Sequence, residues 1–203
     1  MRRWFTVLSF AALFAPAWAA AQDLPAGVRG EMIRSMLDAG GKIQELADAI
    51  PDKKYTYKPG KDVRSTGQVL LHVVQGNYMY AKFSGAPPPM STDELTKLDS
   101  QTMEPARIRQ MLKDSYDWAA KAIRDVPDSE LDTQIDYFGV KITKRAMMLV
   151  LMSHSHEHLG QLIAYARANN VVPPWTEREL AEQKKKDEAK KAEQKKAGEK
   201  SGK

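Results

Sequence analysis

Apolar side chains recur at helical spacing in four long stretches of this chain, with polar residues filling the faces between them. The first stretch runs from about Pro25 to Ile50 and places Met32, Met36, Ile43, Leu46 and Ile50 on one face. Gly40-Gly41 interrupts that pattern and predicts a weak point or kink, and Pro51 ends the stretch. The second opens at Ser65, where Ser65-Thr66-Gly67-Gln68 fits a capping box. It carries Val69, Leu70, Val73, Val74, Tyr78 and Phe83, and stops before Pro87-Pro88-Pro89. The third starts near Thr102, takes Pro105 into its first turn, and continues through Ile108, Leu112, Tyr116 and Ile123 to about Val126. The fourth runs from about Thr143 to Asn169, where Asn169-Asn170 and then Pro173-Pro174 stop it.

Shorter elements fall between these. Ser91-Thr92-Asp93-Glu94 fits a second capping box and predicts a short helix over residues 91–99. Residues 127–142 form a connector, with an extended piece over Ile135 to Val140. Four long amphipathic helices with connections of moderate length predict an all-α four-helix bundle over residues 22–175.

The two ends have a different character. Arg2 and Arg3 precede an uncharged apolar run from Trp4 to Trp18, and Ala17 to Ala21 offers small residues for cleavage. That is the anatomy of a secretory signal peptide over residues 1–21, cut after Ala21 or alternatively after Ala19. The run is short for a spanning helix. The mature protein is therefore expected in the periplasm, with no stable membrane insertion. Residues 176–203 are a run of Lys, Ala, Glu and Gln in which Leu180 is the one large aliphatic residue. This predicts a solvated tail or a lone charged helix.

Composition narrows the function classes. The chain has 203 residues, 42% of them hydrophobic, which suits one packed domain. It has no cysteine, so thiol nucleophiles and Cys-based zinc sites are excluded. The net charge of +5 comes from the ends, because residues 22–175 balance 19 Lys and Arg against 19 Asp and Glu. A neutral bundle lacks the basic bias of a nucleic-acid binder.

The four histidines carry the candidate chemistry. Three lie at 154, 156 and 158, and the fourth is His72, in the middle of the second helix. At about 100° per residue, His158, Gln161 and Tyr165 all fall within about 40° of His154, whereas His156 points about 200° away. His154 and His158 are thus an i, i+4 pair able to share one cation. A third ligand must come from elsewhere, and His72 is the other histidine available. Gly76, one turn beyond it, would let the second helix approach another backbone closely. Three neutral imidazoles with positions left to water make a reactive metal site. Each feature also has a plainer explanation: a lone histidine in an apolar helix is more often a hydrogen-bonded core residue, and many H-x-x-x-H pairs bind nothing. His154-x-x-Glu157-His158 also matches the H-x-x-E-H zinc-protease pattern, in which Glu157 would be general base. That pattern needs a downstream acidic ligand, and only the Lys-rich segment follows.

His154-x-x-x-His158-Leu159-Gly160-Gln161, followed by Tyr165-Ala166-Arg167-Ala168-Asn169-Asn170, resembles the last helix of the DinB/YfiT-like superfamily. Ser65 to Tyr80, with Leu71-His72-Val73, resembles its second helix. The resemblance implies a four-helix bundle, often a homodimer, with a divalent metal, zinc or nickel, on His72, His154 and His158. It implies Gln161, and less directly Tyr165, as contacts beside the metal or to a bound small molecule. Activities expected from it are a metal-dependent hydrolase or a thiol transferase. The alternative is a non-catalytic metal or small-ligand binding bundle of the cell envelope. Export weighs against thiol chemistry, because small thiols are expected to be scarce in the periplasm.

Overall fold

A computed structural model describes residues 24–201. The signal peptide expected over residues 1–21 lies outside the described residues. No described helix is long and apolar enough to cross a membrane.

Helix α1 spans Val28–Ala49 and buries Met32, Ile33, Met36, Ile43 and Leu46 along one stripe. It begins three residues later than the pattern predicts, because Gly27 takes a positive φ of 78° and redirects the chain. It also runs unbroken through Gly40-Gly41. The expected kink is absent for a packing reason: the Tyr116 ring lies where a Cβ on Gly40 would be, 2.7 Å from Cε1. Gly40 is a contact surface rather than a hinge.

Helix α2 spans Thr66–Lys82, and its capping box forms as the sequence predicts, with the Ser65 side chain accepting from the Gln68 N–H. Helix α3 (Thr92–Thr96) has the same reciprocal cap from Ser91 and Glu94, and a 3-10 turn over Leu98–Ser100 follows it. Helix α4 covers Pro105–Arg124 with the proline in its first turn. The connector then forms a true hairpin, not a single extended piece. Strands β1 (Gln134–Tyr137) and β2 (Val140–Thr143) pair antiparallel, with Tyr137 opposite Val140. Thr143 ends β2 and caps helix α5 (Lys144–Ala168) by accepting from the Ala146 N–H.

The four long helices close around one core. α1 packs on α4 and α5, and α2 packs on the same two. α1 and α2 therefore stand mainly on opposite corners although consecutive among the long helices, and the connection over residues 50–65 crosses one end. Fully buried Ile33, Met36, Ile43, Leu70, Leu71, Leu112 and Leu162 fill the centre. Within this apolar core, Asn77 donates to Ser115 at 3.0 Å and Tyr116 donates to Ser155 at 3.2 Å. These bonds tie α2 to α4 and α4 to α5, beside His154. Helix α6 (Pro174–Ser201) is the lone charged helix, held to α1 at its base by Arg178 on Glu45 at 2.9 Å.

Candidate metal centre

α2 and α5 are neighbours, and His72, His154 and His158 lie on the faces they turn towards each other. His154 and His158 sit one turn apart on α5 and are both buried, whereas His72 on α2 is half-buried. The Nε2 atoms converge: His154 to His158 is 3.1 Å and His154 to His72 is 3.3 Å. His72, His154 and His158 form the group able to hold a metal ion among the described residues, with ligand atoms within 4.8 Å of one another. His156 is exposed and faces the Met152 carbonyl at 2.9 Å, so the helical projection places it correctly outside the cluster. Glu157 is exposed too, and its carboxylate lies near Tyr80.

Gly76 has the close-approach role expected of it, but the partner differs. The approaching group is the His154 ring, not a second backbone. A Cβ on Gly76 would lie 2.7 Å from Nδ1 and 3.2 Å from Nε2 of His154.

Two glutamines set the orientation of the outer rings. His158 Nδ1 lies 2.8 Å from Gln161 Oε1, and the Gln161 amide donates to the Tyr165 hydroxyl at 3.2 Å. That hydroxyl donates in turn to the Arg64 carbonyl at 3.1 Å. A carbonyl only accepts, so the direction of each bond back along the chain is fixed. Gln161 must present oxygen to His158, and His158 must carry its proton on Nδ1. The same logic applies to His72. Its Nδ1 lies 3.1 Å from Gln75 Oε1, and the Gln75 amide donates to the Leu95 carbonyl at 2.7 Å. Asp99 Oδ2, 3.2 Å away, accepts from the same Nδ1 and is held by Arg64 at 2.7 Å. Both outer imidazoles thus offer a bare Nε2 lone pair to the centre.

Helical spacing put Gln161 and Tyr165 on the face of His154, and the structure makes them links in the hydrogen-bond chain behind His158; the contact to a bound small molecule that the resemblance implies is not tested by this geometry. Sequence reasoning missed Gln75, although His72-Val73-Val74-Gln75 repeats the spacing of His158-Leu159-Gly160-Gln161. It also missed Asp99, 27 residues from His72, for which no local signal exists.

Electrostatics disfavour the charged forms of His154 and His72. Burial, reinforced by the charges of His158, His72 and Arg64, pushes His154 down to about 3. Burial also lowers His72, helped by Arg64 and His158 and opposed by Gln75 and Asp99. Tyr80 packs edge-on against His154 with ring centroids 5.1 Å apart. Burial first, with Tyr137 and the Glu157 carboxylate nearby, pushes its hydroxyl up to about 12, so it remains a proton-bearing donor.

This donor set fits a divalent ion. Two bare lone pairs meet at the centre, and His154 has one ring proton to offer between them. A cation removes the conflict at the centre: it takes the lone pairs of all three rings and leaves the His154 proton on Nδ1, which is buried and has no hydrogen-bond partner among the described residues. With metal–nitrogen bonds of about 2.0–2.1 Å, the edge of a tetrahedron is roughly 3.3 Å, close to the two nitrogen separations here.

The sequence profile of the DinB superfamily matches residues 38–162. The uncharacterized protein YjoA of Bacillus subtilis (strain 168) is 25% identical over 143 residues, covering 68% of this chain and 88% of YjoA. A DinB-like protein from Bacillus cereus superposes with a TM-score of 0.63 at 18% identity, over 72% of this chain and 95% of that one. YfiT from Bacillus subtilis, described as a probable metal-dependent hydrolase with an unusual four-helix bundle topology, superposes with a TM-score of 0.59 at 15% identity, over 74% and 93% of the two chains.

Proposed function

The chain belongs to the DinB superfamily, and on that footing we propose that it is a metal-dependent hydrolase of the cell envelope, holding one zinc or nickel ion on His72, His154 and His158. The observation that carries this reading is the convergence of three Nε2 atoms at 3.1 and 3.3 Å, with the opposite nitrogens of His72 and His158 already committed to acceptors. YfiT's description as a probable metal-dependent hydrolase supports the same reading. An ion on three neutral imidazoles supplies Lewis acidity and brings a water's pKa towards neutrality.

The chain's own groups supply the rest. Gln161 and Gln75 hold the His158 and His72 rings, and Asp99 adds a carboxylate acceptor behind His72. Such partners fix ring orientation and raise ligand basicity. Tyr80, protonated and beside His154, offers an O–H donor for a developing oxyanion. Ligand choice follows from charge: three neutral donors suit zinc or nickel better than magnesium or calcium, which favour oxygen.

Elemental analysis of the purified protein tests the site. About one equivalent of zinc or nickel is expected, falling to near zero in His154→Ala and His158→Ala. A screen of activated esters and amides tests the reaction. Hydrolysis that depends on added metal and disappears in His158→Ala is the expected result. A bound ion with no turnover of any substrate would leave a metal- or ligand-binding bundle instead.

A further inference from the structure

Phe138 sits at the tip of the β1–β2 hairpin with φ at +50° and 73% of its surface exposed. Both features are unfavourable. The left-handed region is strained for a bulky side chain. A two-residue hairpin turn with positive φ at both positions, here Phe138 and Gly139, ordinarily takes Asn or Asp before the glycine. The phenyl ring also forgoes the stabilisation that burial gives.

The ring instead ends a continuous aromatic path from the histidine cluster. Tyr80 lies edge-on to His154 at 5.1 Å, and Tyr137 lies 6.2 Å from Tyr80. Phe138 packs on Tyr137 at 4.8 Å, and Phe83 packs on both, at 5.7 and 6.5 Å. β2 runs directly into the cap of α5, so the hairpin is anchored to the helix that carries His154. A strained, solvent-facing phenylalanine joined through half-buried aromatic residues to a candidate metal centre is in place to meet a ligand.

Resting on the metal reading above, we propose that the hairpin tip is the ligand-contacting wall of the site, selecting molecules that carry an aromatic group next to the polar head that meets the cation. The wall is made by Phe138, Tyr137 and Phe83, with Tyr80 at its inner end. A small aromatic ligand is favoured over a second copy of the chain because the path leads inward to His154.

The test compares benzohydroxamate with acetohydroxamate, which share a metal-binding head and differ in the phenyl group, by calorimetric titration of the zinc-loaded protein. The wild type is expected to bind benzohydroxamate at least ~10-fold more tightly. Phe138→Asn removes the ring while giving the turn a residue it accepts, and Phe83→Ala thins the wall behind it. Both are expected to bring the ratio towards one, with zinc content and acetohydroxamate affinity unchanged. A ratio unaffected by either substitution overturns the wall alone. A dimer that dissociates in Phe138→Asn while the ratio holds assigns the tip to a second copy and also overturns it. Zinc-loaded wild type that binds neither hydroxamate overturns the metal site, and this inference with it.

Discussion

Gly76 and His154 occupy the same space on facing helices: a Cβ on the glycine would lie 2.7 Å from the imidazole Nδ1. The ring is thus seated against bare α2 backbone. One methyl group at position 76 must move either the ring or the helix.

Gly76→Ala is therefore expected to separate folding from metal binding. Overpacking of this kind costs about 1–3 kcal/mol, partly offset by the better helix propensity of alanine. Circular dichroism should show an intact helical fold, while chelator competition should show cation affinity lowered at least ~10-fold. Wild-type affinity in this variant would mean that His154 is not a ligand.

Removing the acceptors behind the outer rings should weaken the cation without touching a ligand. Gln161→Leu and Gln75→Leu are each expected to lower metal affinity by about 10–100-fold. Gln75→Leu should have the smaller effect, because Asp99 also accepts from His72 Nδ1. The double variant Gln75→Leu/Asp99→Leu should match Gln161→Leu. Competitive titration with a chromophoric chelator measures all three.

Acidification should destabilise the metal-free protein through His154. Its folded-state value, about 3, lies below the ordinary imidazole value of about 6.5. The unfolded chain therefore binds the extra proton between those values, so the stabilising contribution is complete above pH 6.5 and is lost as pH falls towards 3. The slope is at most about 1.4 kcal/mol per pH unit. Urea unfolding at a series of pH values measures it. His154→Gln should shallow the dependence by close to one proton across that window, and an unchanged slope would contradict the burial argument.

Ser65→Ala should cost about 1 kcal/mol, because it removes the side-chain acceptor for the Gln68 N–H. A fall in Tm of about 2–4 °C is expected for a chain of this size. The cap also lies next to Arg64, whose carbonyl ends the chain of hydrogen bonds from His158. A small loss of metal affinity should accompany the loss in Tm.

Capping at Ser65 and Ser91, the proline at the start of α4 and the stops at Pro87 and Pro173 are local chemistry, and the structure places them as the pattern predicts. The i, i+4 relation of His154 and His158, and the turning away of His156, follow from helix periodicity alone. Periodicity fails at the 134–143 hairpin, whose strands are too short to distinguish from loop without seeing their partner. It fails also at Gly40, where propensity argues for a kink and the Tyr116 ring decides otherwise.

What the chain order determines by itself is everything set within a turn or two of backbone: where the helices start and stop, which face of α5 carries two imidazoles, and that Gln161 and Tyr165 share that face. What only the tertiary structure decides is the meeting of α2 with α5 and the placing of the 91–100 segment against His72. Those contacts bring Nε2 of residue 72 to 3.3 Å from that of residue 154, seat a ring on Gly76, and carry Asp99 and the Leu95 carbonyl to the cluster. The physical reason is range. Hydrogen bonds and helical geometry act over a few residues, whereas the choice of neighbouring helix depends on how four apolar stripes share one core.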